Sequence, residues 1–246
     1  MFMSLLVLNP RSRAVRRDLS DCRGLHRTLL NAFPSTRIES GQGGGARLEF
    51  GLLYRAESDP RTGRIQVLIQ SRHLPDWSCL PNDYLSDDFT TIDNPAMKRI
   101  DQSYQSLSAG QRLRFRLRAN PTRRISDKCT TENSGGKGKR VEIHQPEKQV
   151  EWLKRKGEQH GFKLISLNTS PGVPNLIART EDKTVGSRGA NTPSMIFGSV
   201  TFEGVLEISD LEKFTAALGD GIGSGKAFGF GLLSIAPIQQ PKEQEE

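Results

Sequence analysis

Residues 111–121, QRLRFRLRANP, decide how this chain folds. Leu113, Phe115, Leu117 and Ala119 alternate strictly with Arg112, Arg114, Arg116 and Arg118. A strand turns successive side chains to opposite faces, so a period of two sets the apolar row on a core and the four guanidinium groups on the other side. Toward the N-terminus, Met3–Leu8 is apolar with almost no polar break, the pattern of a strand buried on both faces. Asn9–Arg17 reads as a turn carrying Arg11, Arg13, Arg16 and Arg17. A helix follows, capped by Ser20 or Asp21, striped by Leu25, Leu29 and Phe33, and stopped by Pro34. Arg47–Ala56 and Arg64–Ser71 flank a turn at Asp59–Gly63 and read as a hairpin. Residues 82–108 are polar, are interrupted by Pro95, and carry one short helix near their end. With 111–121 as the closing strand, the first half runs strand, helix, two strands, weak helix, strand, which is the ferredoxin-like order βαββαβ.

The second half repeats that order without repeating the sequence. Ser126–Lys139 is polar, with Gly135, Gly136 and Gly138 among lysines, and reads as a basic linker. A short strand at Arg140–Ile143 precedes a helix over Pro146–Gln159, opened by proline and closed near Gly161. Strands are expected at Phe162–Leu167, at Leu176–Arg179 and around Val200–Ile208, then a helix at Leu211–Leu218 and a strand at Leu232–Ala236. The expected architecture is α+β, two tandem ferredoxin-like (RRM-like) domains: 1–125, a linker at 126–139, 140–238, and a polar tail at 239–246.

The chain of 246 residues carries 35 Lys and Arg against 28 Asp and Glu, a net charge of +7, which favours a polyanionic partner. Its 3 cysteines are odd in number and lack metal-ligand spacing, which suits a reducing, cytoplasmic setting. The apolar run Leu5–Leu8 has its basic residues after it, the reverse of a signal peptide, and no stretch is long enough to cross a membrane.

Residues 221–237, GIGSGKAFGFGLLSIAP, place five glycines around Lys226. Such a run either lets backbone N–H groups approach an anion or forms a turn before the last strand. It is not a P-loop, because Asp220 stands where the first glycine belongs and Ala227 follows the lysine. It departs from the RNA-recognition signature at Ala227, Gly231 and Leu233. None of His26, His73, His144 and His160 pairs at metal-ligand spacing, and no nucleophile elbow is present. His26 alone combines an early helical position with arginines on both sides, Arg23 and Arg27. An imidazole titrating near neutrality can move the proton of an RNA 2′-OH attacking its own phosphate, and guanidinium groups can stabilise the charge that builds. The alternative is a histidine packed at the edge of an amphipathic helix. The arginine row has a similar pair of readings: phosphate contact or a solvated strand face.

The segments LVLNPRSRAVRRDL, IQSRHLPDW, GQRLRFRLRANPTRR, GKRV, VEWLKRKGEQHGF, FEGVLEISD and GIGSGKAFGFGLLSIAP, in this order, resemble the CasE family, the CRISPR-associated endoribonucleases of type I-E systems. The resemblance spans the chain. It implies two ferredoxin-like domains that bind the CRISPR repeat stem-loop, cut at the 3′ base of the stem with no metal or other cofactor, leave a 2′,3′-cyclic phosphate, and remain with other Cascade subunits. It places the catalytic histidine at His26; the flanking Arg23 and Arg27, read from the residues themselves, are expected to help at the phosphate. RNA contacts fall on Arg13, Arg16, Arg17, Arg112, Arg114, Arg116, Arg118, Arg123, Arg124, Lys137, Lys139, Arg140, Gly223, Gly225 and Lys226. Some members carry a tyrosine three residues before the histidine; here it is Arg23, which stays protonated and cannot serve as a base. A subunit that binds RNA without cutting it is therefore the alternative function.

Overall fold

The computed structural model describes residues 1–34, 49–59, 61–87, 93–125, 139–166, 176–186 and 194–238. Strand β1 (Phe2–Leu8) pairs antiparallel with β3 (Ile65–Ser71) on one side and β4 (Ala96–Arg99) on the other, and β2 (Leu53–Ser58) pairs with β3. The resulting order β2-β3-β1-β4 is that of a ferredoxin-like sheet. Helices α1 (Arg13–Ser20) and α2 (Cys22–Leu30) connect β1 to β2. Leu6, Leu8, Val15, Leu25, Leu29, Tyr54, Val67, Ile69 and Tyr84 share one core beneath them. Between β3 and β4 the chain makes a 3-10 turn, Trp77–Cys79, and a short helix α3 (Asp101–Gln105) follows β4.

Two local features depart from the sequence pattern. The turn expected over Asn9–Arg17 ends early, because the Ser12 side chain accepts from Val15 N and starts α1. Asp21 then separates the two helices, closing α1 and accepting from Arg23 N to start α2. Strand β4 has no periodicity to announce it. Beside it the Asn94 amide accepts from Val7 N at 3.0 Å and donates to Val7 O at 2.9 Å, doing for the end of β1 what a backbone partner would do.

The arginine strand, β5 (Arg112–Ala119), does not close the first sheet. It lies between β10 (Met195–Ile208) and β11 (Leu233–Pro237), in the sheet β11-β5-β10-β8, where β8 is Phe162–Leu164. Leu113, Phe115, Leu117 and Ala119 pack with Trp152, Phe162, Phe202 and Phe214 in the core of the second domain. With helices α4 (Pro146–Gln159) and α5 (Leu211–Asp220), the second domain runs β5–α4–β8–β10–α5–β11 and has the same strand order as the first. Two tandem ferredoxin-like domains are thus present, but strand pairing puts the crossing between α3 and β5 rather than at 126–139. The strand expected to open the second domain, β7 (Lys139–Glu142), instead pairs with β6 (Thr122–Ile125) in a separate two-stranded ribbon, with Arg124 opposite Arg140. Strand β9 (Leu176–Gly186) runs well past Arg179 and forms a long hairpin with β10.

The domains are joined by buried polar groups. Arg55 on β2 is 3% exposed, and its Nη1 donates to Ser234 Oγ at 3.0 Å, Arg116 O at 3.4 Å and Leu232 O at 3.5 Å. Gln70 on β3 donates to Leu218 O at 2.6 Å and accepts from Tyr104 at 2.8 Å. A buried donor that loses its partners keeps the cost of having left water, so these bonds define one docked arrangement of the domains. Arg55→Met should cost about 2–3 kcal/mol by urea denaturation, because it strips these three acceptors, and the Glu57 carboxylate that Nε bonds at 2.6 Å, of a charged donor. An unchanged midpoint would show that the apolar contacts dock the domains unaided.

Candidate active site and nucleic-acid interface

His26 sits in the second turn of α2, half-buried, with its ring stacked on Tyr54 at 6.2 Å between centroids and 18° between planes. The Tyr54 hydroxyl, from β2, lies 3.2 Å from Cys22 O at the start of α2 and 3.2 Å from Ala227 O in the glycine loop. Its single proton serves either carbonyl in turn. This side chain, 1% exposed, therefore ties the histidine helix to the 3-10 turn Lys226–Phe228.

The glycines of the loop answer to packing within the protein. Gly229 has φ 82°, and a Cβ there would lie 3.1 Å from the Tyr54 ring. Gly225 has φ 76°, and a Cβ would meet Phe230 at 2.9 Å. Gly223 faces Trp152. A compact crossover is held by bonds from Ile222 N to Gly231 O at 2.9 Å and from Gly231 N to Arg118 O at 2.8 Å. What the loop offers outward is the Lys226 side chain and the edge at Gly223 and Ser224.

Arg23 and Arg27 are exposed on α2, to either side of His26 in sequence. Gly186, at the end of β9, approaches the base of this helix, so that a Cβ on it would lie 2.9 Å from Cys22 Sγ and 3.5 Å from Arg23 Cγ. Burial, with the charge of Asp21 adding, pushes the Cys22 thiol up to about 11, so it is neutral at ordinary pH and is no base. Burial likewise pushes the Tyr54 phenol above its ordinary range. Asp18, 1% exposed, accepts from Thr28 on α2 at 2.6 Å and from Tyr84 at 2.9 Å, which fixes α1 against α2. Arg13, Arg16 and Arg17 line the exposed side of α1, Arg17 also bonding Asp18 at 3.0 Å.

The arginine row of β5 is largely occupied. Arg112 pairs with Glu207 at 3.0 Å, Arg116 with Glu57 at 3.1 Å and also with Glu203, and Arg118 with Glu181 at 2.7 Å while lying over the Phe230 ring. Arg114 is exposed and, among the described residues, has no ion pair. Cations collect instead around the β6–β7 ribbon. One cleft of about 430 Å³ lies between the ribbon, α4 and the glycine loop, and brings together Arg123, Arg124, Arg140, Lys156, His160 and Lys226. On the other side of Arg123 a groove of about 730 Å³ carries His144, Lys148, Lys154 and Arg155, with Glu142 and Glu151. Lys137 lies outside the described residues, and Lys139 contributes the backbone of β7. Lys156, His160 and Tyr54 are additions to the residues legible from sequence. Among the described residues no group of three or more His, Cys, Asp or Glu could hold a metal ion.

Paired ferredoxin-like domains with a histidine helix tied to a glycine loop, beside two cation-lined grooves, define an α+β protein with a concentrated basic surface. The chain belongs to the CRISPR-associated protein family, whose model matches residues 1–237. It is 37% identical over 238 residues to the CRISPR-associated endoribonuclease Cse3 of Thermus thermophilus, covering 96% of this chain and 100% of that protein. It is 29% identical over 240 residues to the CRISPR system Cascade subunit CasE of Escherichia coli, covering 97% and 100%. The solved structure of Cse3 bound to a 19-nucleotide RNA superposes with a TM-score of 0.75 at 36% identity, covering 96% of this chain and 100% of that one.

The Tyr54 link can be tested by stability alone. Tyr54→Phe should cost about 1 kcal/mol, one shared hydrogen bond. Tyr54→Ala should cost about 3–5 kcal/mol, since it empties a filled site between α2 and the glycine loop. Equal losses by chemical denaturation would mean that the ring does not join these elements.

Proposed function

We propose that this protein is an endoribonuclease that binds the stem-loop of the CRISPR repeat RNA, cuts at the 3′ base of the stem to yield mature crRNA, and stays with it as a Cascade subunit in the cytoplasm. The observation that carries this reading is full-length kinship with an RNA-bound endoribonuclease, Cse3, together with a helix histidine stacked on Tyr54, whose hydroxyl reaches the glycine loop. Among the described residues no helix is long and apolar enough to cross a membrane.

Double-stranded RNA hides its base edges in a narrow major groove, so a stem is held by shape and phosphate contacts. The grooves flanking the β6–β7 ribbon supply the cations for this: Arg123, Arg124, Arg140, Lys156 and Lys226 on one side, Lys148, Lys154 and Arg155 on the other. Arg114 and the exposed arginines of α1 extend the basic surface. We assign Arg112, Arg116 and Arg118 to the internal carboxylates they bond, where they order the β5 face and the domain junction.

In the cleavage step the 2′-oxygen forms a bond to the adjacent phosphorus, the bond from phosphorus to the 5′-oxygen breaks, and a 2′,3′-cyclic phosphate remains. One proton leaves the 2′-OH and one is delivered to the 5′-oxygen. His26 is the side chain of α2 suited to proton transfer near neutrality, and Arg23 and Arg27 stabilise the charge gathering on the phosphoryl oxygens. Arg23 is cationic and Cys22 a neutral thiol, so water completes the second transfer. No metal ion enters this chemistry. The lack of a second side chain on α2 suited to proton transfer motivates the other reading, an RNA-binding subunit that does not cut.

With 5′-labelled host repeat RNA and excess EDTA, wild type should give one cut at the stem base. His26→Ala should lose about 100- to 10,000-fold in single-turnover rate with binding kept, and Arg23→Ala about 100-fold. Binding by wild type with no cut would establish the scaffold reading; cutting that survives His26→Ala would remove that residue from the mechanism. Salt titration separates the cleft cations from the paired arginines of β5. Arg140→Ala and Lys226→Ala should each lower the log–log salt slope by about 0.7–0.9, whereas Arg112→Ala should leave it unchanged.

A further inference from the structure

Resting on the RNA-binding reading above, we propose that His160 is a phosphate contact that engages the RNA backbone as an imidazolium, so that closing the cleft on RNA takes up a proton and rising pH loosens the complex. His160 ends α4, one turn beyond Lys156, and is half-buried. It opens into the cleft between the ribbon and the glycine loop. From its own helix Lys156 faces it; from the glycine loop, Lys226; from the end of α5, Asp220; from the ribbon, Arg123, Arg124 and Arg140. Asp220 is the single carboxylate in that set, and it also bonds Arg72 at 2.8 Å.

A phosphodiester in this cleft meets five permanent cations and one switchable group. In the free protein, burial and then the charges of Lys156 and Lys226 hold the His160 imidazole below its ordinary value, with Asp220 opposing. It is therefore largely neutral near pH 7. A bound phosphate cancels the repulsion from the lysines and presents anionic oxygens, both of which favour the protonated ring. The carbonyls at the C-terminus of α4 act in the same direction. The complex thus has the higher pKa and free protein the lower. The added affinity is fully present below the free-state pKa and is lost as pH rises through that of the complex. The cleft holds RNA most tightly on the acid side of neutrality, while the fixed cations keep a baseline grip at any pH.

The test uses full-length His26→Ala protein, to prevent cleavage, and a fluorescein-labelled hairpin of the host repeat at constant ionic strength. Anisotropy titrations from about pH 5.5 to 8.5 should show affinity falling on the order of tenfold, with no limb steeper than about one decade per pH unit. Adding His160→Gln should flatten that limb at the weak level and adding His160→Lys should flatten it at the tight level. Calorimetry at pH 7 in buffers of different ionisation enthalpy should register proton uptake that both substitutions abolish. An unchanged slope and unchanged uptake in His160→Gln, with binding intact, would overturn this proposal and leave the nuclease reading standing. Failure of all three proteins to bind the hairpin would overturn both.

Discussion

Tyr54 and Arg55 are neighbours on β2, and because side chains alternate along a strand they leave it on opposite faces. Tyr54 turns toward the helices, stacks under His26 and reaches the glycine loop; Arg55 turns the other way and bonds the backbone of β5 and of the residues entering β11. The second domain is therefore gripped at both faces of one strand of the first. The remaining contacts between the halves sit around this grip: Gln70 on Leu218 O at the end of α5, Arg72 on Asp220, Arg116 on Glu57. These bonds set the histidine of one domain beside the lysine loop of the other.

Charge is distributed by what is already paired. The net excess of seven cations is small beside the number of arginines and lysines in the chain. Three of the four β5 arginines are paired with carboxylates, while other cations gather at the ribbon and α4. Those internal pairs also fix registry, since Arg116 reaches Glu203 on the neighbouring strand and Glu57 in the other domain at once. The positive surface is thereby patterned rather than uniform.

Much of this is legible in the residues, and the failures have physical causes. The alternation at 112–119 gives the right element and the right buried face, but periodicity reports which side of a strand is dry and not which sheet it joins. Its partners on β10 and β11 lie far later in the chain, at Val200–Glu207 and Leu233–Pro237, beyond any local signal. Helix α1 is silent in the sequence because Val15 is its one buried apolar side chain; its hold on the fold comes from the Ser12 cap and from Asp18, which bonds Thr28 and Tyr84. The glycine density at 221–231 marks the loop that meets Tyr54, and its cause is contact with Tyr54, Phe230 and Trp152. The ion pairs of Arg112, Arg116 and Arg118 leave no local trace because each carboxylate comes from a distant strand. The same holds for His160: nothing beside it in sequence marks it, and only the folding of ribbon against helix gathers its cations.

The position of β5 also sets the order in which the molecule can be completed during synthesis. All four strands of the first sheet have been made once Arg99 is added, so that domain can close while the rest is still being translated. Strand β5, by contrast, lacks both neighbours until β10 and β11 exist, and β11 ends at Pro237. The glycine loop that meets Tyr54 immediately precedes that last strand. A nascent chain therefore carries His26 on a finished domain long before Lys226 and the cleft stand beside it. The histidine and the cleft stand together only once the chain through Lys226 has been made.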